Sequence, residues 1–275
     1  MMIKRLQGKT NYIILTLFGV LALYPLIGSA VVAISPQDQV VSGVFPIPSS
    51  LTFSNLSQAW TQGSLGSAME TSFIVAVGVV IGATVLSVLA GYAFGALNLP
   101  GGKIIFYIFL AGLIMPYEAL IIPLYYDMRS FSLIDSYWSL IFPEVALYLA
   151  FGIFWMRACF RSVPRSLLEA ARIDGASNWR ILRRVFIPFG RPAIMTMMVL
   201  FFIFSWNEFL LPLVMLSSGS RETATLALGV FQGQYDTNIS LQTAAALTVA
   251  IPGIIVYILF QRQFIRGMLS GSVKG

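Results

Sequence analysis

Residues 169–188 read "EAARIDGASNWRILRRVFIP". The stretch gathers Glu169, Arg172, Asp174, Arg180, Arg183 and Arg184 in a chain of which only 10% is charged. Read locally, it predicts two short helices. Pro164 suits a first helical turn. Ser166 and Glu169 have capping-box spacing, and Leu167, Leu168 and Ala171 supply apolar contact one turn apart. Gly175, after Asp174, marks a stop, because glycine enters the left-handed conformation cheaply. Ser177 is placed to cap a second helix, with Trp179, Leu182 and Phe186 along one stripe and Pro188 as its end. Such a helix–glycine–helix bracket is too polar to span a bilayer and too apolar on one face to stand alone in water.

The rest of the chain is apolar. It is 57% hydrophobic with a mean hydropathy of +0.83, whereas a soluble domain carries about a quarter of its residues charged. A water-exposed surface cannot be built from so few ions, so the class is an all-α membrane protein. The single cysteine, Cys159, excludes a disulfide framework and a multi-cysteine metal site. The absence of histidine removes the usual general base and the commonest metal ligand, and with them serine–histidine catalysis and zinc hydrolysis.

A helix needs about 20 mainly apolar residues to cross the hydrocarbon core. Six stretches qualify, at 12–34, 71–97, 104–126, 137–156, 192–214 and 241–260. The first follows Lys4, Arg5 and Lys9 but has too long an apolar run for a signal peptide, so it reads as a retained helix. Pro116, Pro123, Pro143 and Pro252 fall inside spans, where kinked helices packed on neighbours tolerate them. Gly78-x-x-x-Gly82 and Gly91-x-x-x-Gly95 on the second span either let helix backbones approach closely or reflect glycine's frequency in membrane helices. Fifteen lysines and arginines fall on one side of this arrangement, eight of them in the loop that holds the bracket, and only Arg129 and Arg221 on the other. That asymmetry places both termini and the bracket in the cytoplasm. An interfacial helix whose arginines hold anionic lipid headgroups fits the bracket as well as a docking element does.

The spacing Glu169-Ala170-Ala171, three residues, Gly175, nine residues, then Val185, Ile187 and Pro188 resembles the EAA loop of ABC-importer permeases. Val185 and Ile187 stand where that family usually has isoleucine and leucine. The triplet Asp174-Gly175-Ala176 looks like the carbohydrate-uptake, binding-protein-dependent branch. "FPIPSSLTFSNLSQAW" (45–60), "IMPYEALIIPLYY" (114–126), "SWNEFLLPL" (205–213) and "SGSVKG" (270–275) are similar to its first external loop, third span, fifth span and C-terminal tail. The resemblance implies a type I importer fold of six transmembrane helices in a bacterial plasma membrane. It implies residues 1–67 as tail, first helix and external loop, 68–262 as a permease core with the coupling loop at 162–190, and 263–275 as a cytoplasmic tail. Glu169, Ala170, Ala171, Asp174, Gly175 and Pro188 would then couple the chain to one of two cytoplasmic ATPase subunits, which hold ATP and magnesium. A second, homologous permease would complete a heterodimer, and an extracytoplasmic binding protein would dock on the external loops. No cofactor on this chain and no nucleic-acid partner is implied. "QGKT" (7–10) mimics the end of a phosphate-binding loop, but Ile3 stands where that motif needs glycine.

An ionisable group within a span is a functional hypothesis by default. Glu118, Glu144 and Glu208 are such groups. Glu208, beside Trp206 and Asn207, combines an aromatic face with amide and carboxylate groups that suit sugar hydroxyls. Alternatively, Asn207 and Glu208 join helices by hydrogen bonds. Tyr117 and Glu118 are further pathway candidates, with Glu118 and Glu144 also placed to cap kinked backbone. An ion-coupled secondary transporter with Glu208 titrating, and a membrane-embedded enzyme, are readings from other classes. Within the resembling family, glycerol-3-phosphate-type polyol phosphates are an alternative to sugars.

Overall fold

The structure, a computed structural model, describes residues 2–41, 50–97, 99–233 and 237–272, the side chains of 2–10, 41 and 264–272 excepted. The segment "QGKT", part of the first external loop and the whole tail 270–275 therefore lie outside the described side chains. Helices dominate, with no strand among the described residues beyond an isolated antiparallel bridge, Gln232–Thr237. The principal helices are α1 (Met2–Ala33), α2 (Leu65–Ala96), α3 (Gly102–Gly112), α4 (Ile121–Ser130), α5 (Trp138–Arg161), α6 (Arg165–Ile173), α7 (Asn178–Trp206), α8 (Leu210–Met215) and α9 (Ile239–Ser272). Among the described residues, five helices are long and apolar enough to cross a membrane, α1, α2, α5, α7 and α9.

The expected span at 104–126 is corrected. It is broken, and its halves, α3 and Tyr117–Ser130, meet at 93°. Pro116 causes the break. A proline drives the preceding residue out of the α region, and Pro116 itself is extended, with ψ 116°. The chain restarts as a 3₁₀ turn, Tyr117–Leu120, and then α4. Pro123 falls in the first turn of α4, where its missing N–H costs nothing.

The glycines of α2 show that this bent pair counts as one crossing. A Cβ at Gly78 would stand 2.8 Å from Ile141 Cδ1, at Gly82 3.0 Å from Val145 Cγ2, and at Gly95 3.2 Å from Phe160 Cβ. At Gly91 it would collide with Met156 Cβ and the Met156 backbone. Residue numbers rise together along both helices, so α2 and α5 run side by side in the same direction. Two spans with the same direction require the chain between them to recross the membrane. Close approach, rather than glycine's general frequency, is therefore the reason for both GxxxG pairs. Lipid tails offer no hydrophobic drive between helices, so van der Waals contact along this seam holds the pair.

Two compact units are present, one of Met1–Gly66 with Ala227–Ile251, the other of Ser67–Leu226 with Pro252–Gly275. In the first, Asn55 Nδ2 donates to the carbonyls of Ala33 (3.0 Å) and Ser35 (2.9 Å), closing the end of α1 with the helix Ser54–Gln62. Gln37 there bonds Thr237 O and the Ser240 N–H, each at 3.0 Å. In the second, Val75 and Val79 of α2, Ile121 and Met128 of α4, Leu140 and Ile141 of α5, and Leu211 and Met215 of α8 form a buried apolar core.

The expectation that Pro188 ends a helix is also corrected. Helix α7 runs on through it to Trp206. A π-helical turn, Leu182–Phe186, precedes the proline, and the Ile187 N–H bonds Leu182 O. In a regular helix the ring of Pro188 would meet the carbonyl one turn back. The widened turn absorbs it.

Candidate functional site

The bracket folds largely as its residues dictate. Helix α6 ends in a Schellman motif: the Ala176 N–H bonds Ala171 O and the Gly175 N–H bonds Arg172 O, each at 3.0 Å. Gly175 carries φ +71°, and a Cβ there would touch nothing, so conformation rather than space selects glycine. Ser177 Oγ accepts the Arg180 N–H at 3.4 Å and caps the start of α7. The Ser166–Glu169 capping box does not form. Pro164 takes the N-cap position, which puts Ser166 inside the first turn with no side-chain cap bond.

The four residues Arg165, Leu168, Glu169 and Arg172 recur at helical spacing, and all line one cavity between α6 and the ends of α2 and α5. The opposite face of α6 carries Leu167, Ala170, Ala171 and Asp174, with Leu167 48% exposed. The glutamate and the two alanines of the motif thus look in opposite directions. On α7, Ile181, Leu182 and Phe186 are buried. Trp179, expected on the same stripe, is 62% exposed instead, and Pro188 is exposed. Beneath the bracket, the Tyr92 hydroxyl donates to Asn178 O at 3.3 Å. The Phe186 ring meets Tyr92 edge-on at 5.0 Å and Phe160 at 5.4 Å. This aromatic plug ties the bracket to α2 and α5.

A second polar group lies at the far end of α7. That helix stops at Trp206, and Glu208 stands in the break before α8 rather than inside a continuous span. Its Oε1 accepts the N–H groups of Leu210 (3.0 Å) and Leu211 (3.1 Å) and the Tyr117 hydroxyl (3.2 Å). Its backbone carbonyl accepts Thr225 Oγ1 at 2.6 Å. The carboxylate therefore caps α8 and binds the 3₁₀ turn of the broken span. Asn207 is exposed and donates to Ile203 O in its own helix at 2.7 Å. Trp206 is buried and stacks on Phe202 at 5.6 Å. Glu118 is exposed. The structure thus joins Tyr117 to Glu208 by a hydrogen bond, while Asn207 bonds within its own helix. Glu144 on α5 is 1% exposed and lies beside Ser205. Thr225 and Ser205 carried no signal in the sequence, because each owes its place to a helix end that the sequence does not mark. Among the described residues no group of three or more histidine, cysteine, aspartate or glutamate side chains is placed to hold a metal.

Residues 83–269 match the family described as "Binding-protein-dependent transport system inner membrane component". The diacetylchitobiose uptake system permease protein NgcG of Streptomyces coelicolor is 29% identical over 96% of this chain and 88% of its own. The trehalose transport system permease protein SugB of Mycobacterium tuberculosis is 32% identical over 92% of this chain and 93% of its own. Among solved structures, a chain of a bacterial ABC transporter involved in import of the acidic polysaccharide alginate superposes with a TM-score of 0.80 at 26% identity. That superposition covers 94% of this chain and 97% of the other.

Proposed function

The chain belongs to the binding-protein-dependent transport system inner membrane component family, and on that basis we propose that it conducts a sugar or oligosaccharide across a bacterial plasma membrane as one permease of an ABC importer. Its relatives support the sugar class, since NgcG and SugB match nearly its full length and are named for diacetylchitobiose and trehalose. Both termini and the bracket lie in the cytoplasm, as the arginine asymmetry argues. The permease core is residues 68–262, most of which the family match over 83–269 covers, and 263–275 is a cytoplasmic tail. Two separate ATPase subunits hold ATP and magnesium and hydrolyse the nucleotide. A second, different permease completes the pore, and an extracytoplasmic binding protein delivers the solute to the external loops.

The bracket supports this assignment best. A helix that cannot enter the bilayer offers small side chains and Asp174 on its outer face. The second helix of the bracket, the start of α7, is fastened through Tyr92, Phe160 and Phe186 to two spans. An ATPase subunit that grips Leu167, Ala170, Ala171 and Asp174 moves α6. The aromatic plug carries that motion to α2, α5 and α7, which rock between inward- and outward-facing states. Glu169, Gly175 and Pro188 serve the same coupling by shaping the bracket. At the other end Trp206, Asn207, Glu208, Tyr117 and Glu118 border the solute path, with Glu208 holding the break between α7 and α8.

The test is Ala170→Arg in the assembled importer. It places a bulky charge on the outer face without touching the cavity side. Co-purification of the ATPase subunit and uptake of the binding protein's sugar should both fall to near background. Retention of both at wild-type level would refute the docking role.

A further inference from the structure

The cavity under α6 has a volume of about 290 Å³. Three arginines, Arg161, Arg165 and Arg172, are among the residues that line it, with Glu169 the one acid. None of the four is joined in an ion pair among the described residues. Helical spacing brings Arg165, Glu169 and Arg172 to one face, and Arg161 is the last residue of α5. Positive charge is therefore in excess, in a recess that supplies too little counter-charge from the protein. Arginines that border one recess from two helices suit a tetrahedral anion, because each guanidinium offers a planar fork of donors to phosphate oxygens.

The depth of the cavity identifies the source of that anion. Gly95 and Ala96 end the span Leu65–Ala96, and Phe160 and Arg161 end the span Trp138–Arg161. Arg157 and Arg161 are the first charges after the apolar run of the second of these spans, and arginines that flank a span on the cytoplasmic side lie at the level of lipid phosphates. Phe160 and Phe186 give the same recess a buried aromatic wall. An apolar wall meeting clustered arginines at headgroup depth is the signature of an acidic-lipid pocket between helix ends.

We propose that this cavity binds the phosphate of an anionic phospholipid headgroup, wedged between α6 and the ends of α2 and α5. Glu169 opposes the bound charge and keeps occupancy moderate. The outer face of α6 stays free, so the lipid and a cytoplasmic partner contact the helix from opposite sides. A bilayer rich in anionic lipid would then brace α6 against the spans.

The proposal is tested on the purified importer complex, stripped of lipid in detergent, without sugar, nucleotide or binding protein. The result is thereby independent of transport. Phosphatidylglycerol, phosphatidylethanolamine and inorganic phosphate are the probes, and native mass spectrometry of the released permease chain is the readout. The wild-type chain should retain phosphatidylglycerol in preference to phosphatidylethanolamine. The combined variant R161Q/R165Q/R172Q should lose that retention by roughly tenfold or more. Glu169→Gln, which leaves the arginines in place, should raise it. Equal retention in wild type and triple variant would overturn the proposal. So would displacement of phosphatidylglycerol by inorganic phosphate at matched concentration, which would assign the cavity to the free ion. If the triple variant does not assemble, Glu169→Gln decides, and unchanged retention there rejects the site.

Discussion

Tyr117 donates its hydroxyl to Glu208 Oε1 at 3.2 Å, and the same oxygen accepts two N–H groups at the start of α8. One carboxylate oxygen thus joins the 3₁₀ turn of a broken span to the break in another helix. Glu208→Ala removes an N-terminal cap and leaves two amides unpaired, at a cost of about 1–2 kcal/mol. Tyr117→Phe removes one bond, at about 1 kcal/mol. Thermal unfolding of the purified importer should rank Glu208→Ala below Tyr117→Phe. The double variant should fall short of the sum, since the two share a bond. Strict additivity would show that the bond contributes nothing.

The seam between α2 and α5 makes a prediction that separates two kinds of crowding. Gly78→Ala meets the tip of Ile141 and Gly91→Ala meets the Cβ and backbone of Met156. Both should destabilise, by about 1–3 kcal/mol. Adding Ile141→Val should rescue Gly78→Ala, because it shortens the offending atom. Adding Met156→Ala should not rescue Gly91→Ala, because Cβ and backbone remain. Rescue in both pairs, read by yield and unfolding midpoint, would show that the seam is looser than described.

At Gly175 only the dihedral matters, as an added Cβ finds open space. Gly175→Ala forces an alanine into the left-handed region at about 1–2 kcal/mol. Gly175→Asn should be milder, because asparagine enters that region more readily. Sugar uptake should therefore order as wild type, then asparagine, then alanine. Equal uptake for all three would show that the bend of the bracket is not needed.

Burial of Glu144 within a span predicts an unusual tolerance. Glu144→Gln keeps the shape and removes a group whose charge would be costly to bury. The unfolding midpoint should rise or hold, whereas most buried substitutions lower it. A loss of about 3 kcal/mol or more would mean that a cation or donor completes the site in the assembled importer.

Orientation can be read by labelling. With Cys159 replaced by alanine, a cysteine at Ser166 should react with a membrane-impermeant maleimide only from the cytoplasmic side. A cysteine at Ser220 should react only from outside. Both positions are exposed. Reaction from the same side would overturn the topology.

Much of this was readable from residue type. Gly175 and Ser177 announced a left-handed stop and a cap because each acts through its own backbone neighbours. The span count followed from apolar length, which the bilayer fixes. What escaped depended on partners remote in sequence. Nothing near Pro188 signals the π turn that carries α7 past it. Pro116 and Pro123 look alike as letters, yet one breaks a span and the other starts a helix. Glu208 was visible as an intramembrane acid, but its capping role required the break that only the fold supplies. The opposite facing of Glu169 and the two alanines was implicit in helical spacing, and the cavity gave it meaning.

The glycine stripe of α2 has a mechanical consequence. From Gly78 to Gly95 the contact with α5 extends for about 25 Å at 1.5 Å per residue. Two rods clamped along such a length resist bending far better than either alone. A push delivered at their Arg161 end reaches the opposite leaflet as a tilt of one stiff spar, with little of the stroke lost on the way.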